Sequence, residues 1–382
     1  MAKKKLLFFS IFIIIILVFV LTIYNIIYKN NNIYLNNKDE APNFISIMLE
    51  ETAGSGEYKV SKSNKWPSKG YVFNKEMSYC NNGSTLTWNK NDNSVSVNIN
   101  KTDKCYVYFD IYQPTQPTLA EYIKSQYTGT QGENSLYYHN STLTNGAGDN
   151  SYRYAGASDS VNNYICLGSD ATTCPEANLF RIIGVFGNQT KVIRAKSVGY
   201  QQWHTSESNT WSSSSLNAYL NGTYLTSLGT IAEKIATTTW KVGGGSGSNI
   251  SASVPATAYK NEVGSSASTT IIDKKIGLMY VSDYGFAASP SAWTKILGDY
   301  DGTDANGTSI KTINWMYMGY NEWTISRHSD NTNSAFFVNS TGNVLGSNVR
   351  SDNGVRPSFN LESSVKYVSG SGSMSDPVRV TD

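Results

Sequence analysis

The longest apolar run of the chain stands at its beginning, where Leu6 to Ile27 is broken only by Ser10, Thr22, Tyr24 and Asn25 and carries no charge. At about 1.5 Å of rise per residue such a run spans a hydrocarbon core of roughly 30 Å. It lacks the small-residue cleavage site that ends a signal peptide. The pattern predicts a transmembrane helix over 6–27 that acts as a signal-anchor. Lys3, Lys4 and Lys5 outweigh the nearby Lys29, which places residues 1–5 in the cytoplasm. On this expectation the protein is single-pass, has the membrane as a partner, and carries its remaining domains outside the cell. Residues 28–43 are rich in Asn and poor in apolar side chains, and predict a stalk.

Beyond the stalk the period changes. Gly70-Tyr71-Val72-Phe73, Thr85-Leu86-Thr87-Trp88, Val95 to Ile99 and Cys105 to Phe109 alternate or cluster β-formers between Asn, Gly and Asp turns. They predict a small β-sandwich-like module over 44–112. Pro114 and Pro117 break regular structure twice, so 113–117 is a linker. Thr118 to Glu121 has capping-box spacing for a helix reaching about Gln126. Leu179–Phe186 and Lys191–Ala195, separated by Gly187 to Thr190, predict a hairpin.

Farther along, Leu216, Tyr219, Leu220 and Leu225 recur at helical spacing behind a serine run, predicting a helix over about 213–220. A further helical turn is expected at 231–236. Residues 241–270, dominated by Gly, Ser, Ala and Thr, predict a long surface excursion. Ile276–Val281, Trp323–Arg327, Ala335–Val338 and Val355–Phe359 supply more strands. Residues 118–382 are therefore expected to form an α+β body with few helices and long loops.

Composition narrows the function classes. Lys and Arg number 31 against 29 Asp and Glu, so there is no clustered basic footprint for nucleic acid. The 26 Tyr and 8 Trp, with abundant Asn, Ser and Thr, suit a β-rich binding protein. Cys80 with Cys105, and Cys166 with Cys174, fall into two segments, and shorter loop closure favours a disulfide within each. Free thiols are the alternative. Zinc is disfavoured because neither pair has Cys-x-x-Cys spacing.

Three segments carry a resemblance together: Leu179 to Gly184, Ile276 to Asp283, and Gly354-Val355-Arg356-Pro357-Ser358-Phe359-Asn360-Leu361. The chain resembles uncharacterised bacterial membrane-anchored surface proteins with a C-type-lectin-like, sulfatase-modifying-factor-like domain. The resemblance covers about 118–382 and implies that fold. Sulfatase-modifying enzymes use cysteines near the C-terminal end of the domain, and none follows Cys174 here, which disfavours formylglycine-generating chemistry. The Glu-Pro-Asn and Trp-Asn-Asp signatures of calcium-dependent sugar binding are also missing.

Two constellations are candidates for a site. Trp315, Tyr317, Tyr320 and Trp323 crowd beside Asn321 and Arg327, offering stacking faces and polar groups for a ligand. Core packing is the competing reading for at least half of them. Asp299, Asp301 and Asp304 lie in a Gly-bearing loop with the oxygen atoms that calcium needs, although Ile310 stands where an EF-hand has its bidentate Glu. The competing reading there is an Asp/Asn/Gly turn. No other cofactor is implied. His139, His204 and His328 are widely spaced, enter no catalytic motif, and are expected at the surface. The leading expectation is a non-enzymatic surface recognition or adhesion protein whose lectin-like head binds a glycan or a protein. An envelope hydrolase acting on wall or host polymers, or a purely structural envelope component, are the alternatives.

Overall fold

A computed structural model describes residues 44–63, 65–67, 70–89, 94–98, 103–112, 116–243, 250–264 and 269–381. The expected cytoplasmic segment 1–5, transmembrane helix 6–27 and stalk 28–43 lie outside these residues. Among the described residues no helix is long and apolar enough to cross a membrane. The structure thus gives no support to a membrane anchor, to the membrane as a partner, or to the extracellular placement drawn from them, and those expectations are withdrawn.

The α+β expectation also needs correction, because strands hold 36% of the structure against 20% in helices. Its helical signals produce only short pieces. The longest described α-helix, Pro255–Glu262, has 8 residues. The leucine spacing after Ser214 yields α-helix over Ser215–Tyr219, a π turn over Leu220–Tyr224 and one more α turn at Leu225–Ser227. Gly222 sits inside that π turn, where its backbone freedom weakens a regular helix. Ser214 caps the segment, its hydroxyl accepting from Asn217 N.

The chain divides into two units between Thr115 and Gln116. In the first, a four-stranded sheet runs in the order Tyr58–Val60, Phe44–Glu50, Lys104–Ile111, Tyr71–Cys80, and a separate hairpin pairs Thr85–Asn89 with Ser94–Asn98. Ile47, Val95, Val107 and Phe109 form a core between them, closed by Leu49, Phe73, Leu86 and Trp88. This core is thin. The Cys80–Cys105 disulfide bridges residues directly opposed on adjacent antiparallel strands.

The second unit begins with the Leu119–Ser125 helix, whose capping box of Thr118 and Glu121 forms. Its principal sheet has nine strands, with Leu179–Phe186 paired to Gln189–Arg194 and that strand in turn to Ser358–Asn360. Every residue of Leu179–Phe186 except Phe186 is buried, as a central strand covered on both faces requires. Gly184 lies at a register shift in that strand, where a Cβ would stand 2.1 Å from Tyr152 O. A second sheet of five strands includes Glu322–Arg327 and Ser334–Val338. Arg356 ties the terminal segment to it, donating to both carboxylate oxygens of Glu322 at 2.6 and 2.9 Å.

Two regions depart from their sequence patterns. The expected strand at 276–281 is strand only at Ile276–Gly277, after which the chain turns into the Val281–Ala287 helix. Asp283 accepts from Tyr280 N at 2.9 Å and holds that turn. The expected excursion over 241–270 instead contains the ends of a hairpin, Thr238–Gly243 with Thr269–Lys274, and the Pro255–Glu262 helix. Pro255 at the first helical turn explains why a Gly/Ser/Ala-rich stretch still starts a helix there.

Candidate functional site

A cleft of about 260 Å³ opens in the second unit where the principal sheet, the Thr238–Gly243 hairpin and the helices Pro255–Glu262 and Val281–Ala287 meet. Lys191 and Asp283 line it, both nearly inaccessible to solvent. Strand pairing fixes Lys191 opposite Gly184 on one side and Asn360 on the other. Asp283 is carried by the Val281–Ala287 helix, and its Oδ2 accepts from Lys191 Nζ at 2.5 Å. Among the described residues this is the one hydrogen bond made by the ammonium. Around it stand the rings of Tyr280, Trp240 and Phe186, with centroids 4.4, 5.4 and 5.8 Å from Nζ, inside the range of cation–π attraction.

Arg153 supports the pair from the strand Ser151–Tyr154, which pairs with Leu179–Phe186 on the side away from Lys191's strand. Its Nη1 lies 3.5 Å from Asp283 Oδ1, its Nη2 2.7 Å from Asp149 Oδ2, and its Nε donates to Ser151 Oγ at 2.8 Å. The guanidinium also faces the rings of Phe186, Phe286 and Tyr259. Burial pushes the Lys191 ammonium below its ordinary value, and Asp283 opposes that shift. Burial alone would raise Asp149, but Arg153 and the hydrogen bond from Ser151 outweigh it and bring the carboxyl down to about 2. Burial raises the Tyr280 and Tyr259 hydroxyls, so both stay protonated.

Glu262 is buried beside this network and holds the helix that bears Asp283. Its two oxygens accept from Val281 N and Ser282 N, each at 2.9 Å, and the Ser326 hydroxyl donates to it closely. Burial raises its pKa, against the pull of the Ser326 hydrogen bond. Tyr259 lies one turn before Glu262, so one helix face supplies both a cleft wall and this anchor.

The aromatic crowd proposed from sequence does not gather at a cleft. Trp315 and Trp323 are core residues, 1% and 0% exposed, whose indole nitrogens donate to Tyr154 O and Gln201 O. Tyr317 donates to Ser340 O, and Asn321 accepts from Ser340 N. Tyr320 is half-buried beside Tyr200. Arg327 donates through Nε to Val242 O and props the hairpin that carries Trp240. None of the six lines the cleft.

The Asp299 to Asp304 loop is a turn. Asp304 accepts from Asn306 N and Thr308 N, closing the loop on itself, while Asp299 and Asp301 are exposed. Among the described residues the only metal-sized group of His, Cys, Asp and Glu ligand atoms is Cys80, Asp103 and Cys105, whose two sulfurs are bonded to each other. Both disulfides expected from loop closure form. His139 is not at the surface: it is fully buried, accepts from Ala147 N at 3.0 Å, and is held neutral by burial and by Arg153. A larger hollow of about 480 Å³ lies between the Cys166–Cys174 loop and the C-terminal hairpin, where the guanidinium of Arg379 donates to the carbonyls of Ser169, Ala171 and Thr172.

Residues 187–363 match a domain of unknown function, DUF6273. That span carries Lys191, Trp240, Tyr259, Tyr280 and Asp283, while Arg153 and Phe186 precede it. The resemblance to lectin-like and sulfatase-modifying proteins is replaced at this level by the coarser assignment. No curated protein and no solved structure matches the chain. Sequence reading passed over the cleft although it singled out Ile276 to Asp283. The available signal was a lysine placed directly before the apolar pair Val192-Ile193 in a short strand, since buried charges are rarely unpaired.

Proposed function

We propose that this chain is a non-catalytic recognition protein and that its ligand site is the cleft around Lys191 and Asp283. One observation carries the reading: a buried ammonium with a single protein hydrogen bond lies on the wall of an aromatic-lined cleft. An ammonium has three donors, and a buried polar group without partners is costly. A ligand that supplies acceptors there gains what bulk water cannot easily give. Aromatic walls with a few converging polar groups are the common composition of small-ligand sites. The likeness of three segments to C-type-lectin-like proteins agrees with a recognition role.

A hydrolytic role has less behind it. Asp283 is neutralised by Lys191, and Glu262 is occupied by two backbone N–H groups and a hydroxyl. A glycosidase needs two carboxyl groups flanking the scissile bond. The test is an array of glycans and peptides probed with the full chain and with Gln189→Trp, which fills the cleft from its rim. Binding present in the natural chain and lost in the variant is expected. Binders indifferent to the variant, or no binders at all, would overturn the proposal.

A further inference from the structure

Two of the three cations at the cleft are balanced in pairs, and this bears on what can enter it. Lys191 meets Asp283, and Arg153 meets Asp149. Lys241, on the rim, donates through Nζ to Val263 O and is only partly buried, so solvent screens it. A carboxylate or phosphate docking at Lys191 would bring Asp283 an uncompensated like charge in a desolvated place, and an ammonium would do the same to Lys191 and Arg153. An uncharged ligand escapes both penalties.

The hydrogen-bonding needs are also specific. Lys191 Nζ has two donors beyond its bond to Asp283 Oδ2. Asp283 Oδ1 meets only the long contact of 3.5 Å from Arg153 among the described residues, which leaves it able to accept. A group that gives oxygen lone pairs to the ammonium and an O–H to the carboxylate satisfies both at once. Adjacent hydroxyls on one ring do this. Neutral polar groups from Gln189, Thr239 and Asn360 complete the lining. Tyr280 and Tyr259, both partly exposed, provide flat faces for the C–H surface of such a ring, and the buried Trp240 backs them. The volume of about 260 Å³ falls just under the roughly 300–1,000 Å³ of sites for drug-sized ligands, so one ring fits and an oligomer extends outside.

We infer that the ligand of the cleft is a single uncharged, polyhydroxylated ring, a neutral pyranose unit, bound through adjacent hydroxyls to Lys191 and Asp283 and packed against the aromatic wall. The inference rests on the cleft being the ligand site and adds the chemical class of the ligand.

Saturation-transfer NMR on the full chain tests it, with methyl glucoside, methyl galactoside and methyl mannoside as neutral probes. Glucuronate, glucosamine and phenylalanine amide serve as anionic, cationic and peptide-like probes. Lys191→Met and Gln189→Trp are run in parallel. Gln189 is the partly exposed first residue of the Gln189–Arg194 strand, beside the Gly187-Asn188 turn. Its variant therefore removes no buried charge and is expected to fold even where loss of the buried cation prevents folding of the other. At least one neutral glycoside is expected to bind, at least tenfold more tightly than either charged sugar, and to lose tenfold or more in a folded variant. Equal or tighter binding of glucuronate, glucosamine or phenylalanine amide, abolished by Gln189→Trp, overturns the ligand class and leaves the cleft as the site. If no probe gives a signal that the variants remove, both readings fall.

Discussion

Replacing Arg153 by methionine removes the guanidinium that meets both Asp149 and Asp283. Methionine fills much of the same space but leaves the buried Asp283 and the partly exposed Asp149 short of a partner. Breaking fully buried pairs costs about 3–5 kcal/mol, and the exposure of Asp149 places this change at the lower end. The unfolding free energy from urea titration should fall by that order, and a loss below about 1 kcal/mol would mean that water reaches Asp149. Asp149 also has a pH signature. Its carboxyl is lowered to about 2 from the usual 3.8, so its contribution is present above pH 4 and fades as pH falls toward 2. Asp149→Asn should therefore lie well below the natural chain in stability near neutrality, with the gap narrowing below pH 4. A gap constant from pH 7 to pH 2.5 would count against the ion pair. At this scale the sequence was least informative, because a lysine, an arginine and two aspartates some 130 residues apart become partners only through strand pairing and helix placement.

The Leu179–Phe186 strand shows how an element positions the site. At Gly184 the neighbouring strand approaches so closely that a Cβ would meet Tyr152 O at 2.1 Å and Arg153 Cα at 3.1 Å. Gly184→Ala must push the Arg153 strand away, which overpacking data put at about 1–3 kcal/mol. A lowered melting temperature together with weakened ligand binding is expected. Unchanged stability would mean that the strands separate without strain. The Pro255–Glu262 helix is held to the next helix through Glu262. Glu262→Ala strands Ser282 N–H and the Ser326 hydroxyl proton and leaves Val281 N only its long bond to Ser326 Oγ at 3.4 Å, at about 1–3 kcal/mol for each buried group left unsatisfied. Hydrogen exchange should then quicken at Val281 and Ser282 before it does in the sheet. Elements built on local rules were legible: the Thr118 capping box, the hairpin after Phe186, and the strands around Trp323 and Phe336. The Ile276–Val281 run was misjudged because buried strand and buried helix share the same apolar signature over six residues.

Over the whole molecule, two units of unequal core divide the chain at Thr115. The first has a four-residue buried cluster and relies on the Cys80–Cys105 bridge across a separation of 25 residues, worth about 3 kcal/mol by loop closure. Cys80→Ser with Cys105→Ser should shift one of two calorimetric transitions and leave the other in place. A common shift of both would mean that the units unfold together. Patterns that act within a few residues, namely period-two alternation, a capping box and short cysteine separations, determined from sequence alone the β-rich first module, its disulfide and the second one, and several strands of the second unit. The predominance of strand over helix among the described residues, the core position of Trp315 and Trp323, and the cleft were decided only by tertiary structure. Burial and ion pairing depend on which distant strands become neighbours, and the amino-acid pattern of one strand does not record its neighbour.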